Sequence, residues 1–151
     1  MGMPRIDIAS LAPDTVGSDY PAPYDQPVAG RIVRDLARAG GATDWIANHV
    51  VVPPGNWSSQ RHWHAGEDEI VVMLAGEAVL VDDNGRHPMR TGDVAVFPKG
   101  DGNGHHLVNE SDADCVLLAL SHKEASLVTY PDIDLLFSPE AGQIHRDGTP
   151  Y

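Results

Sequence analysis

The chain has 151 residues, 42% of them hydrophobic, with 15 glycines, 12 prolines and a formal net charge of -12. This length suits one domain, and the apolar content is enough for a packed core and too high for a disordered chain. The charge stays negative even with all eight histidines protonated, so phosphate backbones and anionic membranes are repelled and neither nucleic acid nor a membrane is an expected partner.

Taken in order, residues 1–30 read as an irregular N-terminal arm, because Pro4, Pro13, Pro21, Pro23 and Pro27 interrupt any long element. It either crosses the surface of the domain or of a partner subunit, with Tyr20 and Tyr24 as anchors, or is a mobile tail. No basic segment followed by an apolar one marks a signal peptide, and no apolar run approaches a membrane span. A cytoplasmic location is expected. Gly30 to Leu36 reads as a strand, Arg38 to Gly41 as a turn, and Thr43 to Val52 as a second strand ended by Pro53-Pro54-Gly55.

A strand carrying His62-Trp63-His64 follows, then a turn over Ala65-Gly66-Glu67-Asp68, then a strand from Glu69 to Leu74 ended by Gly76. Glu77 to Asp82 continues into an Asp83-Asn84-Gly85 turn, whose residue types tolerate positive φ. His87-Pro88-Met89 leads to a second turn at Thr91-Gly92-Asp93. Val94–Phe97, Gly104–Asn109 and Cys115–Ser121 complete the strands. Cys115 is the only cysteine and lies in an apolar run, so it reads as a buried structural thiol. After residue 122, an apolar patch at Ile133–Phe137 predicts an edge strand and a tail that wraps the domain. Many short strands with turns every 8 to 12 residues or so make an all-β sandwich or barrel.

The chemistry concentrates at His62-Trp63-His64. Residues two apart on a strand share a face, so His62 and His64 present two imidazoles side by side. If the next strand pairs with this one, Glu69 lies opposite them on a rigid hairpin. A third imidazole can come from a distant strand. Imidazole and carboxylate together suit a divalent transition metal. With Glu69 pointing inward, Val71 and Met73 do the same. Ile70, Val72 and Leu74 then form an apolar outer face that needs a cover: the arm, the tail or a second subunit. A homodimer is expected.

Two ordered motifs sharpen this picture. The first runs Gly55, six residues, His62-Trp63-His64, four residues, Glu69, six residues, Gly76. The second runs Gly92, then Pro98-Lys99-Gly100, then His105, three residues, Asn109. Together they resemble the two motifs of the cupin superfamily over roughly residues 45–121. The spacer before His62 is one residue longer than usual and that between Gly100 and His105 two longer, both in expected loops, where insertions are tolerated. The Gly100-x-Gly102-Asn103-x-His105 block and the closing Asp147-Gly148-Thr149-Pro150-Tyr151 resemble a group of small bacterial cupins, some of them labelled sugar-phosphate isomerases.

The resemblance implies a cupin double-stranded β-helix, that is, a jelly-roll barrel over residues 31–122, with the 1–30 arm and a 123–151 extension packed on it. It implies one divalent metal per chain (iron, manganese, nickel, cobalt or zinc) on His62, His64, Glu69 and His105. Glu69 is preferred to Glu67 and Asp68, which read as solvated turn residues, because it keeps six residues before Gly76. His105 is preferred to His106 because it alone has three residues before Asn109. Four protein ligands leave positions for water or substrate, as in a catalytic site.

His49, on the strand before the first motif, is the candidate proton-moving side chain if it faces the interior. Trp63 should pack away from the metal, while Phe97 and Trp57 are placed near the mouth. Lys99–Gly104 reads as a tight loop. Arg31, Arg34 and Arg38 either meet an anionic substrate or form surface ion pairs. The expected occupant is a small oxygenated, possibly anionic metabolite. The chain is then either a metal-dependent enzyme of isomerase, dioxygenase or lyase type, or a non-catalytic binding or sensing module.

Overall fold

A computed structural model describes residues 4–151; residues 1–3 of the arm lie outside the described part. The arm contributes a short strand β1 (Thr15–Val16). β2 (Ile32–Asp35) follows, then a single helical turn α1 (Leu36–Ala39) and β3 (Trp45–Val52). The sequence suggested that the strand ran through Leu36. Asp35 stops it, because its carboxylate accepts from Arg38 N at 3.0 Å and caps the helical turn.

Then come β4 (Trp63–His64), β5 (Glu69–Ala75), β6 (Glu77–Asp82), β7 (Gly85–Arg90), β8 (Val94–Phe97), β9 (His106–Val108) and β10 (Cys115–His122). The tail adds β11 (Val128–Tyr130), β12 (Leu135–Ser138) and β13 (Gly142–Ile144). From sequence, His87-Pro88-Met89 is only the lead into the Thr91-Gly92-Asp93 turn, and Pro88 lacks the N–H of a ladder residue. This stretch is a strand nonetheless, since β7 is the edge of its sheet and an edge position tolerates proline. In the β6–β7 turn only Gly85 takes positive φ, while Asp83 and Asn84 do not.

All pairings are antiparallel, as in a jelly roll. The largest sheet runs β1-β2-β3-β10-β5-β8, and smaller sheets run β13-β12-β11-β4 and β7-β6-β9. The two smaller sheets are stitched together where His62 and His105 exchange both backbone hydrogen bonds, at 3.1 and 2.9 Å. The core packs Val50 and Val52 of β3, Val71 and Met73 of β5, Leu80 of β6, Leu107 of β9 and Leu117 of β10. Cys115 is fully buried, and burial pushes its thiol up to about 11, as for an inert structural cysteine. Gly76 joins β5 to β6 at a φ of 72°, and a Cβ there would lie 2.6 Å from Asp114 O, so only glycine fits.

The expected single edge strand in the tail is three strands, and β11 pairs with β4. The extension therefore completes the wall that carries His64. The arm pairs with β2 through β1. Among the described residues neither covers the outer face of the large sheet, where Leu74, Val94 and Val96 remain 42%, 56% and 60% exposed. No helix among the described residues is long and apolar enough to cross a membrane.

Candidate metal centre

Three imidazoles converge on one carboxylate oxygen. Glu69 Oε2 lies 3.1 Å from His105 Nε2, 3.4 Å from His64 Nε2 and 3.7 Å from His62 Nε2. Donor atoms of His62, Glu69 and His105 all fall within 4.8 Å of one another. Ligands about 2.1 Å from one ion are separated by up to ~4.2 Å, so this group has nearly the spacing a shared ion needs. His64 stands beside it, with Nε2 turned to the same oxygen.

The ligands do not share a hairpin, as the sequence suggested. β4 pairs with β11, whereas β5 pairs with β10 and β8. The turn at Ala65–Asp68 carries the chain from one sheet to the other. His62 and His64 therefore reach Glu69 across the barrel interior rather than along a ladder.

The orientation of each imidazole is set from behind. His62 Nδ1 lies 2.8 Å from Gln60 O, with Ser59 Oγ at 3.2 Å, and His105 Nδ1 lies 3.2 Å from Asn103 O. A carbonyl oxygen only accepts, so Nδ1 donates in both rings and Nε2 is the atom turned to Glu69. Asn103 is itself held, its Nδ2 donating to Asp82 Oδ2 at 3.1 Å and its Oδ1 accepting from Asp83 N at 2.9 Å. Phe97 packs flat on His105 rather than standing at the mouth. Trp57 meets His106 edge-on, and His106, bound through Nδ1 to Ser59 O at 2.9 Å, is not drawn into the group.

Glu67 departs from its expected role as a solvated turn residue. It is buried, 9% exposed, and its Oε2 lies 3.4 Å from His64 Nδ1. Ser126 Oγ donates to its other oxygen at 3.5 Å. The cause is the tail. Ala65 N bonds Leu127 O at 2.9 Å, and Gly66 lets Ser126 approach so closely that a Cβ would sit 2.9 Å from it. Burial raises the Glu67 carboxyl above its ordinary range, with His64 acting against that rise. Glu67 thus backs His64 as the carbonyls back the other two rings.

Burial would also raise Glu69, but hydrogen bonds from His105, His62 and His64 outweigh it and hold the carboxyl well below its ordinary value. A carboxylate ringed by three imidazole Nε2 atoms is the donor set of a divalent transition metal. The chemistry of these residues fits such an ion.

The group opens on a cavity of about 320 Å³. Val50, Val71, Leu117 and Ala119 form its apolar side, and Tyr20, Arg31 and Asn48 are among its polar lining. His49 is not brought there. Asn48 and Val50 face the cavity, so strand alternation sends His49 to the outer face, in register with Arg34 and Leu118. Its pKa is lowered by burial and by Arg34. The three arginines also part company. Arg38 pairs with Asp14, Arg34 donates to Leu11 O at 2.8 Å, and Arg31 enters the cavity wall.

The Cupin domain family model matches residues 48–121. A crystal structure described as a sugar phosphate isomerase from a cupin superfamily, from Silicibacter pomeroyi, is 37% identical, with a TM-score of 0.91 over 98% of this chain and 96% of that one. The chain is a cupin. This cupin is also similar to a Cupin 2 conserved barrel domain protein from Salinispora arenicola, at 27% identity and a TM-score of 0.57 over 80% of this chain and 87% of that one. It is 36% identical over 69 residues to the oxalate-binding protein of Thermotoga maritima, a match to 46% of this chain. The cupin spans about half the length of that curated relative, 54% of it.

Proposed function

We propose that this cupin is a metal-dependent enzyme acting on a small oxygenated metabolite. The observation that carries the reading is the meeting of three Nε2 atoms with the Glu69 carboxylate at the wall of a 320 Å³ cavity. His62, His64, Glu69 and His105 hold the ion. When bound, a divalent metal supplies Lewis acidity toward a substrate carbonyl or hydroxyl oxygen. Val71, Leu117 and Ala119 keep water from one side of the substrate. Burial raises the Tyr20 phenol, so Tyr20 stays protonated and donates to a substrate oxygen. The likeness to a full-length relative named as a sugar phosphate isomerase favours an isomerase over a dioxygenase or lyase.

Metal-loaded protein should turn over members of a panel of hydroxy acids, keto acids and sugar phosphates, followed by proton NMR and oxygen uptake. Glu69→Gln should abolish the turnover. Saturable binding with no turnover of any compound would instead establish a binding or sensing module. That second reading is favoured by the relative named as oxalate-binding.

We also propose a cytoplasmic homodimer joined through the outer face of the large sheet. Its support is the apolar surface at Leu74, Val94 and Val96, left bare by the described residues of both arm and tail. Light scattering should give twice the chain mass, and Val96→Lys should halve it. A monomeric wild type would refute the pairing.

A further inference from the structure

Arg31 differs from the carboxylate-paired arginines and, unlike Arg34 and Arg146, which also bond only to carbonyls, it lines the cavity. Arg38 is joined to Asp14, Arg61 to Asp83 and Asp132, and Arg86 to Glu110. Arg31 pairs with no carboxylate among the described residues. Its Nε and Nη2 donate to Gly17 O at 3.2 and 3.0 Å, and its Nη1 donates to Ser58 O at 2.6 Å. A guanidinium has five N–H groups. Three are used, so one remains on each terminal nitrogen.

The place of this unpaired cation gives it meaning. Arg31 lines the same cavity as His62, Glu69 and His105, with Tyr20 and Thr15 beside it. The loop that holds it is the loop that sets a metal ligand. Ser58 O accepts from Arg31, and Ser59 Oγ lies 3.2 Å from His62 Nδ1. A charge withdrawn from water without a counter-charge is costly. Backbone carbonyls solvate the guanidinium without neutralising it, and burial lowers its pKa while Tyr20, Tyr130 and Asp19 offset that only in part. The missing negative charge is one that a ligand can bring.

We propose that Arg31 is the anion subsite of the cavity, reading the carboxylate or phosphate head of a small metabolite whose other oxygens face His62, Glu69 and His105. This rests on the metal-centre reading above. The two free N–H groups sit on different nitrogens of one planar fork, which suits the paired oxygens of a carboxylate or phosphate. The cavity lies at the low end of the ~300–1,000 Å³ typical of ligand pockets, so the occupant is a single small molecule. A neutral analogue of equal size would leave Arg31 uncompensated and be rejected.

The test uses cobalt-loaded protein, whose visible spectrum reports the metal site, titrated calorimetrically with malonate and with inorganic phosphate. Wild type should bind at least one of them, and the tighter one identifies the head group. Arg31→Gln should weaken that binding by about 10- to 100-fold with cobalt uptake and spectrum unchanged, and Arg31→Lys should recover part of it. Equal anion affinity in wild type and Arg31→Gln, or no anion bound by cobalt-loaded wild type, overturns the proposal. If wild type takes up no cobalt, the metal reading fails separately. The metal-free titration then decides Arg31 by the same comparison. Arg31 also ties Gly17 to Ser58, so each variant is checked by thermal melting. Should Arg31→Gln not fold, Arg31→Lys carries the comparison, since it keeps the charge and loses the fork.

Discussion

The ring of Phe97 lies on the imidazole of His105 with centroids 3.5 Å apart and planes 2° from parallel. Phe97 is also the β8 partner of Glu69 in the ladder, so one side chain sets the flank of two ligands. Phe97→Leu keeps an apolar group in the core but removes the flat surface. It should weaken metal binding by about 10-fold, read by competition with a chelating dye. Phe97→Ala should in addition cost about 3–5 kcal/mol in urea unfolding. Wild-type metal affinity in Phe97→Leu would show that the stack does not position His105.

Glu67 backs His64 across 3.4 Å. Removing its charge leaves His64 Nδ1, already buried without a hydrogen bond, with no acceptor of opposite charge. Glu67→Gln should reduce metal affinity by about 10- to 100-fold while the melting temperature moves little. An unchanged affinity would return Glu67 to a purely structural role.

Asn109, the last residue of the second motif, is fully buried and holds loops rather than metal. Its Nδ2 donates to Val52 O and Ala113 O, both at 2.8 Å, and its Oδ1 accepts from Ser111 N at 3.0 Å and Ser111 Oγ at 2.7 Å. Asn109→Asp sets a carboxylate oxygen against two carbonyls. It should destabilise the fold by about 3 kcal/mol or more, measured by urea unfolding at pH 7. A loss below about 1 kcal/mol would contradict this assignment.

Asp82 supports His105 through Asn103. Burial would raise its carboxyl, but hydrogen bonds from Asn103, His87 and Asn84 outweigh that and push it down to about 2. The folded value thus lies below the ordinary 3.8. The stability it contributes is present above about pH 4 and is lost as pH falls toward about 2. Wild type should exceed Asp82→Asn by about 1–3 kcal/mol at pH 6, and the gap should close across that acidic window. A gap independent of pH would mean that the charge contributes nothing.

Alternation and turn chemistry predict most strands of the barrel, because most of them bury one face and read with period two. Motif spacing likewise singles out His62, Glu69 and His105, whose positions depend on short loops. What stays hidden depends on contacts distant in sequence. Alternation tells that His49 and Asn48 face opposite ways, but only the paired strands decide which one sees the cavity. Glu67 looks solvated until Ser126, 59 residues later, covers it. The hairpin expectation for His64 and Glu69 fails because consecutive strands switch sheets, which no local signal marks. Arg31 reads as one of three basic residues in a row of strand and turn, and only folding separates its partners from those of Arg34 and Arg38.

The most direct measurement is the elemental content of tag-free protein beside a His62→Ala/His105→Ala double variant. About one divalent transition ion per chain in wild type, absent from the variant, is the expected result. No metal in wild type, and none taken up on reconstitution, or an equal content in the variant, would contradict a metal centre on these residues.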